Sequence, residues 1–144
     1  MAIYGAGSNW EGNEVKNNFY TDENYVIGWN INNAEDLYSL ISSVKVGDII
    51  YLKANRPGSL DIRIKGIGIV KKSLIKALFD REENLSKTRN NFKLPVKWIV
   101  KDEFKVSIPK DTGKLTNVRA ATLYEECLPF VQDEILKKIF EKLN

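Results

Sequence analysis

Tyr25-Val26-Ile27-Gly28-Trp29-Asn30, Lys45-Val46-Gly47-Asp48-Ile49-Ile50-Tyr51-Leu52 and Lys65-Gly66-Ile67-Gly68-Ile69-Val70 are the stretches on which the fold turns. The first reads as a short strand ending in a glycine and a tryptophan. The second is a Gly-Asp turn feeding a buried strand. The third is a β-run with glycines at alternate positions, where a neighbouring backbone or a ligand can approach closely. Together they predict a small curved sheet with a pocket, and Trp29 is expected at that pocket.

Outward from these runs, Ile3 to Trp10 opens as a strand and enters a glycine-rich turn at Gly5-Ala6-Gly7-Ser8. No Gly-Lys-Ser/Thr follows, so this is not a phosphate loop. Asn9 or Asn13 is expected to cap a weak helix over Glu14–Tyr20. A second helix is expected from about Ala34 to Ser43, with Leu37, Leu40, Ile41 and Val44 at helical spacing and Asn33 as its cap. Leu60–Lys65 alternates apolar and polar residues, as a half-buried strand does. It either continues to Val70 as one bent strand or carries a bulge. Ser73–Leu78 is a strand end or a helix start, and Asp80 to Asn91 reads as a long loop. Leu94–Val100 is a strand whose proline, Pro95, marks an edge or an entry. Glu103–Ile108 is a second short run. Thr122–Cys127 is expected to form a helical turn stopping before Pro129. Val131 to Leu143 is an amphipathic helix with Val131, Ile135, Leu136, Ile139, Phe140 and Leu143 on one face. The sum is one α+β domain over residues 1–144: five to six strands in a twisted, partly closed barrel with flanking helices.

Composition narrows the chemistry. The chain of 144 residues contains no histidine and one cysteine, Cys127. The commonest general base, the Ser-His and Cys-His pairs and most zinc sites are thereby removed. Asp22-Glu23, Glu35-Asp36 and Glu82-Glu83 are adjacent pairs whose members point to different sides, so they form no acid/base couple. The expectation is a protein that is not an enzyme and carries no cofactor or metal. No apolar run approaches the ~20 residues of a membrane span, and the first residues lack a signal-peptide pattern. A cytoplasmic location is the default, with no membrane partner.

The net charge of +3 is unevenly placed. Residues 1–59 carry four basic and seven acidic groups, residues 60–119 fifteen and seven, and residues 120–144 three and five. The basic middle is either a contact surface for a polyanion or a set of solvated lysines that protect a sheet edge. Trp98, between Val96 and Val100, reads as core.

Taken in order, these segments resemble the EVE-like branch of the PUA-like superfamily. The matching features are the strand ending in Gly28-Trp29, the Gly47-Asp48 turn and the Gly66-Ile67-Gly68 strand. Pro95-Val96-Lys97-Trp98-Ile99-Val100 resembles the Val-x-Trp-Ile strand of the related YTH domains. Leu115-Thr116-Asn117-Val118-Arg119 resembles their Thr-Asn-x-Arg segment. The resemblance implies a PUA-like (EVE/YTH-like) fold and a non-catalytic module that binds nucleic acid. Such a module takes a modified, typically methylated, base out of its strand and holds it in an aromatic cage.

On this pattern Trp29 forms one wall, and backbone groups near Ser8, Asn9, Gly28 and Asn30 meet the base edge. The second wall is open between Phe79 and Phe92, in the loop region before the Val-x-Trp-Ile strand, and Trp10. Thr116, Asn117 and Arg119 are expected at the nucleic-acid backbone, with Lys71 and Lys72 adding charge. Arg119 is also placed to pair with Glu125 or Glu126 at the surface. The implied partner is DNA or RNA carrying a modified base. EVE-like domains are often fused to nuclease or nucleotidase domains, so separate nuclease or defence proteins are candidate partners of a solitary one. A small-molecule or nucleotide pocket, or a protein-interaction accessory related to host defence, is the alternative on the same fold.

Overall fold

The computed structural model describes residues 1–54, 59–80, 92–110 and 121–144. Among them the strands are β1 (Ile3–Gly7), β2 (Asn9–Trp10), β3 (Asn13–Glu14), β4 (Asn24–Val26), β5 (Ile49–Ala54), β6 (Asp61–Val70), β7 (Lys93–Val100), β8 (Phe104–Ser107) and β9 (Leu123–Glu125). The helices are α1 (Lys16–Asp22), α2 (Glu35–Ser42), α3 (Leu74–Asp80) and α4 (Pro129–Leu143), with a 3-10 turn at Ile31–Asn33. Seven strands form one curled mixed sheet in the order β4-β7-β6-β5-β1-β9, with β8 also paired to β6. The sheet closes into a half-barrel. β2 and β3 make a separate small hairpin.

Two faces of burial explain the strand sequences. Tyr4, Ala6, Ile50, Leu52 and Leu123 enter one core with Phe19 of α1, Tyr38 and Ile41 of α2 and Leu74 of α3. Ile3, Ile49, Tyr51 and Tyr124 enter a second core under Val131, Ile135 and Ile139 of α4. Alternate residues of β1, β5 and β9 thus serve opposite faces. A strand buried on both faces reads as a continuous apolar run, which is why Ile49-Ile50-Tyr51-Leu52 shows no alternation. β1 and β5 are parallel, Ile3 opposite Ile49. The long connection between them carries β4, α1 and α2, as a parallel pair requires.

The Gly47-Asp48 turn ties the sheet together. Gly47 has φ +87°, open to glycine at no steric cost. The buried Asp48 carboxylate accepts from Ala2 N at 3.0 Å and Lys45 N at 2.8 Å. β6 runs unbroken from Asp61 to Val70, with its pairing to β7 shifting between Ile67 and Gly68. Both sequence readings hold in part: the strand is continuous to Val70, and its pairing carries an irregularity at the glycines. Pro95 sits where β7 passes between partners: Lys93–Pro95 face β4, and Val96–Val100 face β6. A residue without an N–H is tolerated at such a change of ladder.

Several local expectations are corrected. Leu123–Glu125 is a strand antiparallel to β1, not a helical turn. Three residues are too few to show a period, and the exposed edge of β1 supplies the pairing that decides the matter. Pro129 begins α4 at its first turn instead of following a stop, the position where its missing N–H is harmless. On α4, Val131, Ile135 and Ile139 are buried, whereas Phe140 and Leu143 are exposed. Leu143 is the last residue of the helix, and Phe140 stands about 100° round it from the buried Ile139. The strand from Tyr25 ends at Val26, so Ile27 to Trp29 follow it as irregular chain. Neither Asn9 nor Asn13 caps α1, which follows Val15, and Asn33 does not cap α2, whose first turn follows Ala34. Ser73–Leu78 resolves as the start of a helix. Among the described residues no helix is long and apolar enough to cross a membrane.

Candidate functional site

A cleft of about 940 Å³ opens beside the β2–β3 hairpin. Its lining includes Gly7, Ser8, Asn9, Trp10, Glu14, Gly28, Trp29, Lys53, Arg63, Lys65 and Thr122. The half-barrel brings these together from four stretches: the end of β1 with the hairpin, the chain after β4, the facing ends of β5 and β6, and the approach to β9.

Trp29 stands at the rim, 55 % exposed. Two hydrogen bonds fix its place. Its Nε1–H donates to Thr122 Oγ1 at 3.0 Å, and its carbonyl accepts from Tyr38 Oη at 2.7 Å. Trp10 is half-buried, edge-on to Phe19 at 6.0 Å between ring centroids. Its indole lies against Gly28 in the space that a side chain there would need. The buried Trp10 Nε1 finds no acceptor among the described residues. Burying an unmatched N–H costs about 1–3 kcal/mol, so this indole is held by shape rather than by polar contacts.

The polar floor is built around Lys65, whose side chain is 3 % exposed. Its Nζ donates to the buried Ser8 Oγ at 3.0 Å and forms an ion pair with Glu14. Burial alone would raise the Glu14 carboxyl. Hydrogen bonds to Lys65 and Ser8, the Lys65 charge and the Lys16 amide outweigh it, and the group is held below the ordinary carboxylate range. Tyr20 Oη donates to the Lys65 carbonyl at 2.9 Å. Burial first, then Glu14 and Glu103, push the Tyr20 hydroxyl up to about 12. Lys53, over the Tyr124 ring at 5.7 Å, is pushed down to about 8 by burial and by the Lys65 charge. Arg63 pairs with Glu103 at the mouth. Cations and carboxylates are therefore largely matched inside the cleft.

The residues expected at a pocket divide clearly. Trp29, Trp10, Gly28, Ser8 and Asn9 all line this cleft. Asn9 also shapes the hairpin, its Oδ1 accepting from Gly12 N at 2.8 Å. Asn30 is outside the lining: its Oδ1 accepts from Asn32 N at 3.3 Å and starts the 3-10 turn. Phe79 is 79 % exposed on α3 and away from the cleft. α3 buries Leu74 and Ala77, and two residues beyond Ala77 the helix has turned about 200° to its outer face. Phe92 packs edge-on against Tyr38 at 5.3 Å and supports the first core. Of the three aromatics weighed for the second wall, Trp10 is the one that reaches the cleft with Trp29.

Lys71 and Lys72 lie in a separate depression with Met1, Val46 and Lys76. They pair there with Glu23 at 3.5 Å and Asp80 at 2.8 Å. Thr116, Asn117 and Arg119 lie outside the described residues. Among the described residues, no three of His, Cys, Asp and Glu are grouped to hold a metal ion.

Sequence reasoning missed Glu14, Lys53, Arg63, Lys65 and Thr122. Lys65 closes an alternating run, where a lysine ordinarily faces solvent. Nothing in the one-dimensional pattern marks it as covered by Ser8 and the hairpin. No family model matches the chain, and no curated protein matches it.

Proposed function

We propose that this chain is a non-catalytic nucleic-acid-binding module of the PUA-like, EVE/YTH-like type that receives an extruded, methylated base in the cleft beside Trp10 and Trp29. The observation that carries the reading is the presence of two tryptophans on one cleft above a polar floor. An extruded base offers two π-faces for stacking, each worth about 1–3 kcal/mol on an aromatic platform, and a polar edge that needs matched partners. Trp29, exposed yet held by two hydrogen bonds, is suited to stack without first being ordered. The curled half-barrel is compatible with the partly closed barrel of that superfamily.

Binding is tested with short single- and double-stranded oligonucleotides, methylated and unmethylated, at two salt concentrations. The expected result is preference for one modified base with a modest salt slope, since few backbone phosphates are neutralised. Loss of that binding in Trp29→Ala, with the fold retained, places the base beside this residue. Absence of binding throughout, or binding indifferent to Trp29→Ala, overturns the reading. Separate nuclease or defence proteins would then be sought by pull-down.

One observation favours a second reading, a free nucleotide or related small molecule. The Lys65–Glu14 and Arg63–Glu103 pairs leave little excess positive charge at the cleft for a long polyanion. A free nucleotide has fewer phosphate contacts and an even shallower salt slope.

A further inference from the structure

We infer that the Lys65–Glu14 pair at the floor of the cleft reads the Watson–Crick edge of a guanine-type base; this rests on the reading that the cleft takes a base, and names which one. The pair sets a donor-only group against an acceptor-only group at contact distance. Lys65 carries three N–H donors. Ser8 Oγ and the Glu14 carboxylate take two of them. Glu14 has two oxygens, and its side chain is about one-third exposed on the cleft side. Glu14 also accepts from the Ser8 hydroxyl, and its Oε2 takes a long 3.4 Å bond from the Lys16 amide, out of the roughly four lone-pair sites a carboxylate offers.

Guanine presents one carbonyl acceptor, O6, beside two donors, the N1–H and the 2-amino group. A single ammonium beside a two-oxygen carboxylate matches that order of one acceptor and two donors. Cytosine offers one donor and sets a ring nitrogen lone pair against the carboxylate. Adenine offers one donor and leaves the second oxygen empty. Uracil and thymine set a second carbonyl against it. An unmatched buried polar group is costly, so such an edge is discriminated against as well as favoured. The carboxyl held below its usual range keeps Glu14 an acceptor across the neutral region. Trp10 and Trp29 supply stacking, which is indifferent to base identity. Selection of the base therefore falls to the floor.

The edge can belong to a base in a strand or to a free nucleotide. Titrations of the intact protein use oligothymidylates carrying one central guanosine, inosine, adenosine or cytidine, and the four corresponding free 5′-monophosphates. The guanine and hypoxanthine forms are also used as their 7-methyl-7-deaza analogues, which carry the methyl at the same place without a positive charge and leave the edge unchanged. Inosine differs from guanosine only by the missing 2-amino group. The expected result is guanine over hypoxanthine by at least about tenfold, the scale of one hydrogen bond to a charged group. The arm that binds tighter identifies the source. Equal binding of guanine and hypoxanthine, or preference for adenine or cytosine, overturns this inference and leaves the base-binding reading standing. No binding in any arm overturns this inference, and the methylated oligonucleotide panel then decides the base-binding reading by itself. Glu14→Gln, where it folds, is expected to bring the guanine-to-hypoxanthine ratio towards one. The wild-type comparison decides the matter if that variant does not fold.

Discussion

The Trp10 indole occupies the space beside Gly28 where a β-carbon would stand. The adjoining residue, Trp29, is fixed from the other side by Thr122 and Tyr38. A glycine at position 28 is thus what allows two tryptophans, nineteen residues apart, to reach one cleft. Adding a single methyl group there is expected to disturb the cleft more than removing a whole exposed ring.

Gly28→Ala forces the Trp10 indole away and is expected to destabilise by about 1–3 kcal/mol, the usual cost of overpacking. The denaturant midpoint reads the loss of stability. A change in tryptophan emission accompanies it, because the indole leaves its packed site. An unchanged midpoint together with unchanged emission contradicts the close approach.

Trp29→Ala removes a largely exposed ring and one hydrogen bond to Thr122. The stability change is expected to stay within about 1 kcal/mol, while cleft binding is lost. Thermal unfolding and titration, run on the same preparation, separate the two effects. Cooperative unfolding far below the wild-type temperature would show that Trp29 holds the core together.

Lys65 and Glu14 are expected to be strongly non-additive. Glu14→Gln leaves a buried ammonium without its counter-charge, a loss on the order of 3–5 kcal/mol for a buried pair, lessened here because Glu14 is partly exposed. Lys65→Met leaves Glu14 with access to water and is expected to cost less. The double variant recovers part of the Glu14→Gln loss, since no unpaired charge remains. A double-mutant cycle by urea unfolding measures the coupling; additive single effects contradict the pairing.

Alkaline stability follows from the tyrosines. Tyr20 is raised from 10.0 to about 12, and burial also holds Tyr25 and Tyr51 well above the ordinary tyrosine value. The unfolded chain ionises these hydroxyls near the ordinary value, so above it the unfolded state binds fewer protons than the native state. Stability is then fully present below about pH 10 and falls as the pH rises towards 12 and beyond. Unfolding monitored alongside tyrosinate absorbance is expected to show delayed ionisation that coincides with loss of structure. Ionisation of all six tyrosines at the ordinary value in the folded protein would count against their burial.

Lys53 lies at the same cleft and loses its proton near 8. Affinity for an anionic ligand is expected to fall as the pH passes upward through about 8, and Lys53→Arg, which keeps its charge, is expected to flatten that profile. An identical profile in the variant assigns the pH dependence to another group.

The sequence alone determined the elements whose pattern is local. α2 shows its period, the Gly47-Asp48 turn its chemistry, and β5 and β7 their apolar density, while Trp98 is flanked by β-branched core residues. It also brought Trp29 and Gly28 into consideration, because a glycine and a tryptophan closing an apolar run are visible in one dimension; Ser8 and Asn9 entered through the family resemblance. The tertiary structure decided what depends on a distant partner. Leu123–Glu125 became a strand because the edge of β1 was open to it. Phe79 faced outwards once Leu74 and Ala77 had claimed the inner side of α3. Trp10 became the aromatic that reaches Trp29's cleft because Gly28 left room for it. Lys65 changed from a surface lysine into the floor of the cleft because Ser8 and Glu14, over fifty residues earlier, fold across it. Hydrophobic period is written into neighbouring residues. Burial of a charge is a property of whatever comes to cover it, and that is set only when the sheet has closed.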